Sequence, residues 1–301
     1  MTAAPPPEAD PPRKAGEAVA AAVAVADAAE ATADTWAALR PLTPARIGLG
    51  RSGASLPTRA LLAFGVDHAR ARDAVHAALE VGALAAQLAP LFGQPAQAVA
   101  SAAGDRAAYL ARPDWGRRLA PESAAALRGS AAADSRPDLL LVIADGLSAQ
   151  AAQHHAVPLL QAALPRLAAA GLRIAAPVIA TQARVALADE VAAILGARLV
   201  VSLIGERPGL SAPDSLGAYL TWAPQPSRTT DAERDCLSNI RPGGLDPVEA
   251  GERLAARILD VLARGRSGVT GPSPGAGADG AAAESVAVKE IGSLPAETPS
   301  V

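Results

Sequence analysis

Leu139-Leu140-Leu141-Val142-Ile143-Ala144-Asp145-Gly146-Leu147-Ser148 opens on an unbroken apolar run and closes on a glycine turn. A run of that length with no polar alternation reads as a strand covered on both faces. Gly146 permits a sharp turn, and Ser148 can cap a helix that continues to residue 170, where Gly171 ends it. The same texture repeats downstream. A second strand is expected over 172–179, then the loop Ala180-Thr181-Gln182-Ala183-Arg184, a helix over 185–195 and a third strand over 198–204. A fourth extended piece over 216–222 pairs beside them, and a last helix covers 247–263. Strand, helix, strand, helix, strand predicts parallel βαβ units. Right-handed crossovers put the loops after the three strands on one edge of the sheet, where open α/β sheets hold ligands. Asp145-Gly146, Arg184-Val185 and Glu206-Arg207 are therefore expected to converge there.

Outward from this unit the texture changes. Residues 45–136 read as mainly helical. Helix predominates over 58–97, with Thr58 as a cap, and Arg112-Pro113-Asp114-Trp115 forms a turn before another short helix. Residues 1–44 divide into a Pro- and Ala-rich disordered leader over 1–12 and an Ala-rich helix over 14–39 that Pro41 and Pro44 end. The Gly-, Ala-, Pro- and Ser-rich tail over 268–301 reads as flexible. The expected divisions are thus 1–44, 45–136, 137–267 and 268–301.

Composition narrows the function classes. Half of the 301 residues are apolar and only 2% aromatic, which favours close packing of small side chains over aromatic binding platforms. With 27 basic and 30 acidic residues the net charge is −3, which gives no electrostatic reason to expect nucleic acid or an anionic membrane as partner. No stretch approaches the ~20 apolar residues of a membrane span. Cys236 is the one cysteine, so no intramolecular disulfide can form and a reducing compartment is the simplest setting.

Four signals need weighing. Gly48-Leu49-Gly50-Arg51-Ser52-Gly53 has the letters of a dinucleotide fingerprint, but too short a strand precedes it and Pro57 separates it from the following helix. Glu206-Arg207-Pro208 sits between two glycines directly after a strand, a place where backbone can approach a bulky ligand and Glu206 can accept hydrogen bonds from it. Cys236 suits packing or ligand contact better than nucleophilic catalysis, because no histidine can be placed beside it. His154 and His155 are adjacent on a helix, about 100° apart, and cannot chelate one metal ion together. No catalytic constellation assembles within the chain.

Taken in order, these segments resemble the small (light) subunit of ethanolamine ammonia-lyase. The likeness runs through Gly48–Gly53 with Pro57-Thr58-Arg59 and Asp67-His68, then Arg112-Pro113-Asp114 with Gly116-Arg117-Arg118-Leu119, then Ile143–Ser148. It continues in Arg184-Val185, Gly205-Glu206-Arg207-Pro208-Gly209-Leu210 and Cys236-Leu237-Ser238-Asn239-Ile240, and covers about residues 46–268. The resemblance implies a Rossmann-like domain and an adenosylcobalamin-dependent enzyme that converts ethanolamine to acetaldehyde and ammonia by radical chemistry. It also implies a large-subunit partner that carries most catalytic groups, and cobalamin contacts at Val185 and Glu206 on the expected carboxyl edge and at Cys236 in the loop that follows. The cofactor is expected base-on, since Asp67-His68 lacks the intervening residue of a D-x-H-x-x-G motif. Members of the family are cytoplasmic and some enter bacterial microcompartments; the Ala-rich N-terminal helix lacks the clean apolar face such targeting needs. The competing reading is a free-standing α/β module that holds a nucleotide or cobalamin without catalysis.

Overall fold

The computed structural model describes residues 36–130 and 136–268. The leader, most of the expected Ala-rich helix and nearly all of the tail lie outside the described residues. Residues 36–39 form a turn, rather than the end of that helix, and lead into a short 3-10 helix at Arg40–Leu42.

Seven α-helices and six strands follow. They are α1 (Thr58–His76), α2 (Val81–Phe92), β1 (Gln97–Ala100), α3 (Arg106–Ala111), α4 (Pro121–Ser130), β2 (Leu139–Ala144), α5 (Ala149–Ala169), β3 (Val178–Thr181), α6 (Leu187–Leu195), β4 (Leu199–Gly205), β5 (Leu216–Trp222), β6 (Arg234–Ile240) and α7 (Pro247–Arg264). One sheet takes them in the order β1-β3-β2-β4-β5-β6. The expected α/β sheet with flanking helices is present, and its first four strands are parallel. The outer two, β5 and β6, run antiparallel, so the sheet is mixed. The connection explains the reversal: residues 206–215 contain no helix, and a parallel return needs a crossover of a dozen residues or more.

β2 shows why its run is continuous. Leu139, Leu141 and Ile143 face a core built with α2, α5 and α7, while Leu140, Val142 and Ala144 face a second core built with α4 and α6. All six are at most 1% exposed, and each leucine, isoleucine or valine so buried contributes roughly 1.5–3 kcal/mol. The two helix layers are unequal. α5 and α7 reach the outer strands on one face, whereas α4 and α6 pack over the parallel strands on the other.

Three local expectations are corrected. Thr58 is the first helical residue of α1 and Pro57 holds the cap position, with no side-chain cap bond. Gln97–Ala100 is an edge strand rather than the end of a helix. The strand expected over 172–179 is split: Ile174 makes a single bridge to Leu139, Pro177 has no N–H for the ladder, and the strand proper begins at Val178 and runs into the expected loop. Gly48–Gly53 lies in irregular chain before α1 with no strand ahead of it, so the context of a dinucleotide fingerprint is absent. No single described helix is long and apolar enough to cross a membrane.

At the amino edge of the sheet Asp138 gathers the starts of three segments. It accepts from Arg173 Nε at 3.2 Å and from Arg198 Nη1 at 3.1 Å, and the Arg173 backbone amide adds a bond of 3.1 Å. Those bonds, Arg173's first, hold its carboxyl at about 2, below the ordinary 3.8. Because the folded value is depressed, this contribution to stability is complete above about pH 4 and is lost as the pH falls toward 2. Asp138→Asn should therefore flatten the acid limb of the stability curve between those two pH values. An unchanged slope in denaturant melts across that range would contradict it.

Candidate functional site

The helices that follow β2 and β3 leave toward opposite faces, α5 into one core and α6 into the other. Neighbouring strands whose connections part in this way open a crevice at their carboxyl ends. That crevice is an open cleft of about 400 Å³ lined by Tyr109, Gly146, Leu147, Arg184, Val185, Ile204, Gly205, Glu206, Arg207 and Tyr219. The three segments expected to converge thus do so, with Asp145 behind the wall rather than on it.

The floor is main chain. Gly146 has a φ of +53°, and a Cβ on it would lie 2.2 Å from the Gly205 carbonyl oxygen. A Cβ on Gly205 would lie 2.0 Å from the Ser148 oxygen and 2.5 Å from the Asp145 oxygen. The two glycines let the ends of β2 and β4 touch, and the Leu147 amide donates to Gly205 O at 2.9 Å. Ser148 then caps α5 as expected, accepting from the Ala151 amide, and its hydroxyl donates to Pro213 O at 2.9 Å.

Behind the floor, Asp145 accepts from the amides of Gln182 at 2.8 Å and Ala183 at 3.1 Å, which fixes the loop after β3. Gln182 takes a φ of +53° to present its amide, a strained conformation for a residue with a side chain. Arg106 from α3 lies 3.6 Å from Asp145 and donates to the Gly146 and Val75 carbonyls. Burial pushes the Asp145 carboxyl up and the Arg106 guanidinium down, each against the pull of the other's charge. Tyr109 is fully buried at the back of the cleft, and its hydroxyl donates to Ala183 O at 3.1 Å. Desolvation raises that phenol to about 12, so it is neutral at physiological pH.

Glu206 forms the opposite wall. Its amide donates to Ser215 O at 2.9 Å, and Oε2 accepts from the Ser215 hydroxyl at 2.5 Å and the Asn239 amide at 3.3 Å. Asn239 reaches it with a φ of +57°, which asparagine tolerates better than most residues. Gly217 makes room for both walls: a Cβ there would lie 2.8 Å from Tyr219 Cε2 and 2.9 Å from Glu206 Oε1. Oε1 itself accepts no hydrogen bond from any described residue.

Val185 and Glu206 line the cleft directly. Cys236 does not, and it is not in a loop as expected; it lies in β6, paired across the ladder with Tyr219. It is exposed on the part of the sheet that α4 and α6 leave bare, and its thiol shares a hydrogen bond with the Tyr219 hydroxyl. Crowding by neighbouring atoms pushes the thiol up, the Tyr219 hydroxyl bonded to it pulls the other way, and the Glu206 charge adds to the rise. A thiol so shifted stays protonated at neutral pH and lacks the thiolate that a nucleophile needs. Sequence reasoning missed Tyr109, Tyr219 and Arg106. One signal was available: the chain has two tyrosines, and both stand in this cleft.

A sequence profile described as "Ethanolamine ammonia-lyase light chain" matches residues 33–270. Among curated proteins, the chain is 57% identical over 233 residues to the ethanolamine ammonia-lyase small subunit of Bradyrhizobium diazoefficiens, covering 77% of this chain and 87% of that one. It is 54% identical over 231 residues to the protein of that name from Rhodopseudomonas palustris, covering 77% and 87%. With the one from Azotobacter vinelandii it shares 52% identity over 246 residues, covering 81% and 90%.

Proposed function

The chain belongs to the ethanolamine ammonia-lyase light-chain (small-subunit) family, and from that premise we propose that its strand-end cleft forms one wall of an adenosylcobalamin site completed by a large subunit. The assembled enzyme converts ethanolamine to acetaldehyde and ammonia, and this chain binds and shields rather than carrying the catalytic groups. When bound, the cofactor supplies the radical that starts the reaction, while the protein supplies position and exclusion of water.

One observation carries the reading. Loops after three parallel strands converge on one open cleft that joins apolar walls to polar groups that no described residue uses. The residues fit the group. Val185, Leu147 and Ile204 offer an apolar surface, and Glu206 Oε1 is an oriented acceptor for an amide N–H of the corrin fringe. Cys236 extends the contact onto the bare part of the sheet. A corrin with its side arms and nucleotide loop exceeds a cleft of about 400 Å³, which is why a second chain must close over it.

The mainly helical region 45–136 is proposed to meet that second chain. Only Ala74 is buried among the 19 residues of α1, while Leu61, Leu62 and Phe64 are 56%, 64% and 42% exposed. An apolar helix surface of this kind is ordinarily covered by a partner. The cytoplasm is the proposed setting, and microcompartment entry would depend on residues before 36.

The purified chain alone should turn over no ethanolamine, and should restore adenosylcobalamin-dependent deamination when mixed with an ethanolamine ammonia-lyase large subunit. Turnover by the isolated chain, or no complex by size-exclusion chromatography, would overturn the proposal.

A further inference from the structure

Arg184 follows β3 and lays its guanidinium over Tyr109, with the guanidinium carbon 4.4 Å from the ring centroid. Its path is closely shaped. The Arg184 amide donates to Gly116 O at 2.7 Å, and a Cβ on Gly116 would come 3.0 Å from Arg184 Cγ and 2.9 Å from Tyr109 Cε2. Yet the guanidinium makes no hydrogen bond or ion pair with any described residue, and its Nε is buried without an acceptor. Arg106 lies near the same ring, 4.8 Å from its centroid, so two cations share one tyrosine. Asp145, the carboxylate of this cluster, is engaged by Arg106 and by two backbone amides. Glu206, on the opposite wall, uses Oε2 for Ser215 and Asn239.

The cleft therefore holds a positioned cation whose donors no described residue uses. A half-buried guanidinium so left is costly unless a ligand supplies oxygen acceptors, and its planar fork suits a carbonyl or a phosphate. We infer that Arg184 is a cofactor-binding residue, donating hydrogen bonds from its guanidinium to an acceptor oxygen of cobalamin, either an amide carbonyl or the phosphodiester. This rests on the reading of the cleft given above. Tyr109 and Gly116 are then positioning residues, holding the cation in place before the ligand arrives.

The test uses the complex reconstituted with a large subunit and titrates it with cyanocobalamin, read by absorbance. Arg184→Met should weaken binding about ten- to hundredfold, the effect of losing a charge-assisted pair of bonds, with the melting temperature of the complex unchanged. Arg184→Lys keeps the charge but not the fork and should fall between; it carries the comparison if the methionine variant does not fold. A second titration with cobinamide, which lacks the nucleotide loop, separates the acceptors. Equal loss with both ligands identifies an amide, and loss with cyanocobalamin alone identifies the phosphodiester. Unchanged cyanocobalamin affinity in Arg184→Met, with Glu206→Ala weakened, overturns the role of Arg184 and leaves the cofactor site standing. No binding by the wild-type complex overturns the site itself. Impaired assembly with unchanged affinity in the complex that does form would make Arg184 a partner contact and also overturns the inference.

Discussion

Asp189→Ala should destabilise the protein by about 3 kcal/mol, the lower end of the range for breaking a buried ion pair, because the exposed Asp231 stays 3.4 Å from Arg234 Nε. Asp189, in the first turn of α6, accepts from Arg234 Nη1 at 2.8 Å and Nη2 at 2.7 Å, and both side chains are only 2% exposed. Thr221 in β5 accepts a third bond from Arg234 at 2.7 Å. The bond set ties α6 to the two antiparallel strands, across the face that no helix of that layer covers. Removing the carboxylate leaves the buried guanidinium at the start of β6 with only Thr221 and the exposed Asp231 as partners, and β6 carries Cys236 and Asn239. Urea unfolding of Asp189→Ala and of the double variant Asp189→Leu/Arg234→Met separates charge from packing, because an apolar pair of similar volume should recover most of the loss. A single variant within about 1 kcal/mol of wild type would show that the pair does not hold the outer strands.

Gly205→Ala is expected to cost about 3 kcal/mol or more, at the upper end of what overpacking does. The new methyl group would meet the carbonyl oxygens of Ser148 and Asp145, at 2.0 and 2.5 Å, and neither can rotate away. Relief requires β2 and β4 to separate at their carboxyl ends, which breaks the Leu147–Gly205 bond and reshapes the cleft. Stability and cobalamin affinity should thus fall together. Gly82→Ala is the matched control: it sits in α2 with nothing within 4 Å of the added carbon and should be neutral or slightly stabilising. If Gly205→Ala melts like Gly82→Ala, the close approach of the two strand ends is not as tight as described.

Features decided by local pattern were legible in the sequence. The run at 139–143, the glycine turn and the Ser148 cap depend on neighbours a few residues away, and they stand as read. The direction of β5 depends on whether the preceding link contains a helix, and its apolar residues alone are silent on that. β1 is four residues long and owes its existence to β3, some eighty residues later, which no periodicity reveals. The edge positions of Val185 and Glu206 follow from topology, so they could be anticipated. Tyr109 and Arg106 come from α3, far upstream, and reach the cleft only because Gly116 lets that segment close on the loop after β3. Arg234–Ile240 mixes charged, polar and apolar residues irregularly, so nothing local marks the strand that carries Cys236; an outer strand with one bare face tolerates that mixture.

The glycine floor also bears on the thermodynamics of binding. Gly146 and Gly205 have no side chains to immobilise; Gly205 is already held by its pairing with Leu216 and by the Leu147 amide, and Gly146 by the bond its carbonyl accepts from Arg106. A ligand settling on that floor freezes no rotamers there, where each mobile side chain would cost about 0.5–1.5 kcal/mol to order. The conformational entropy lost on binding is therefore confined to the walls, chiefly to the exposed Arg207 and the half-tethered Glu206.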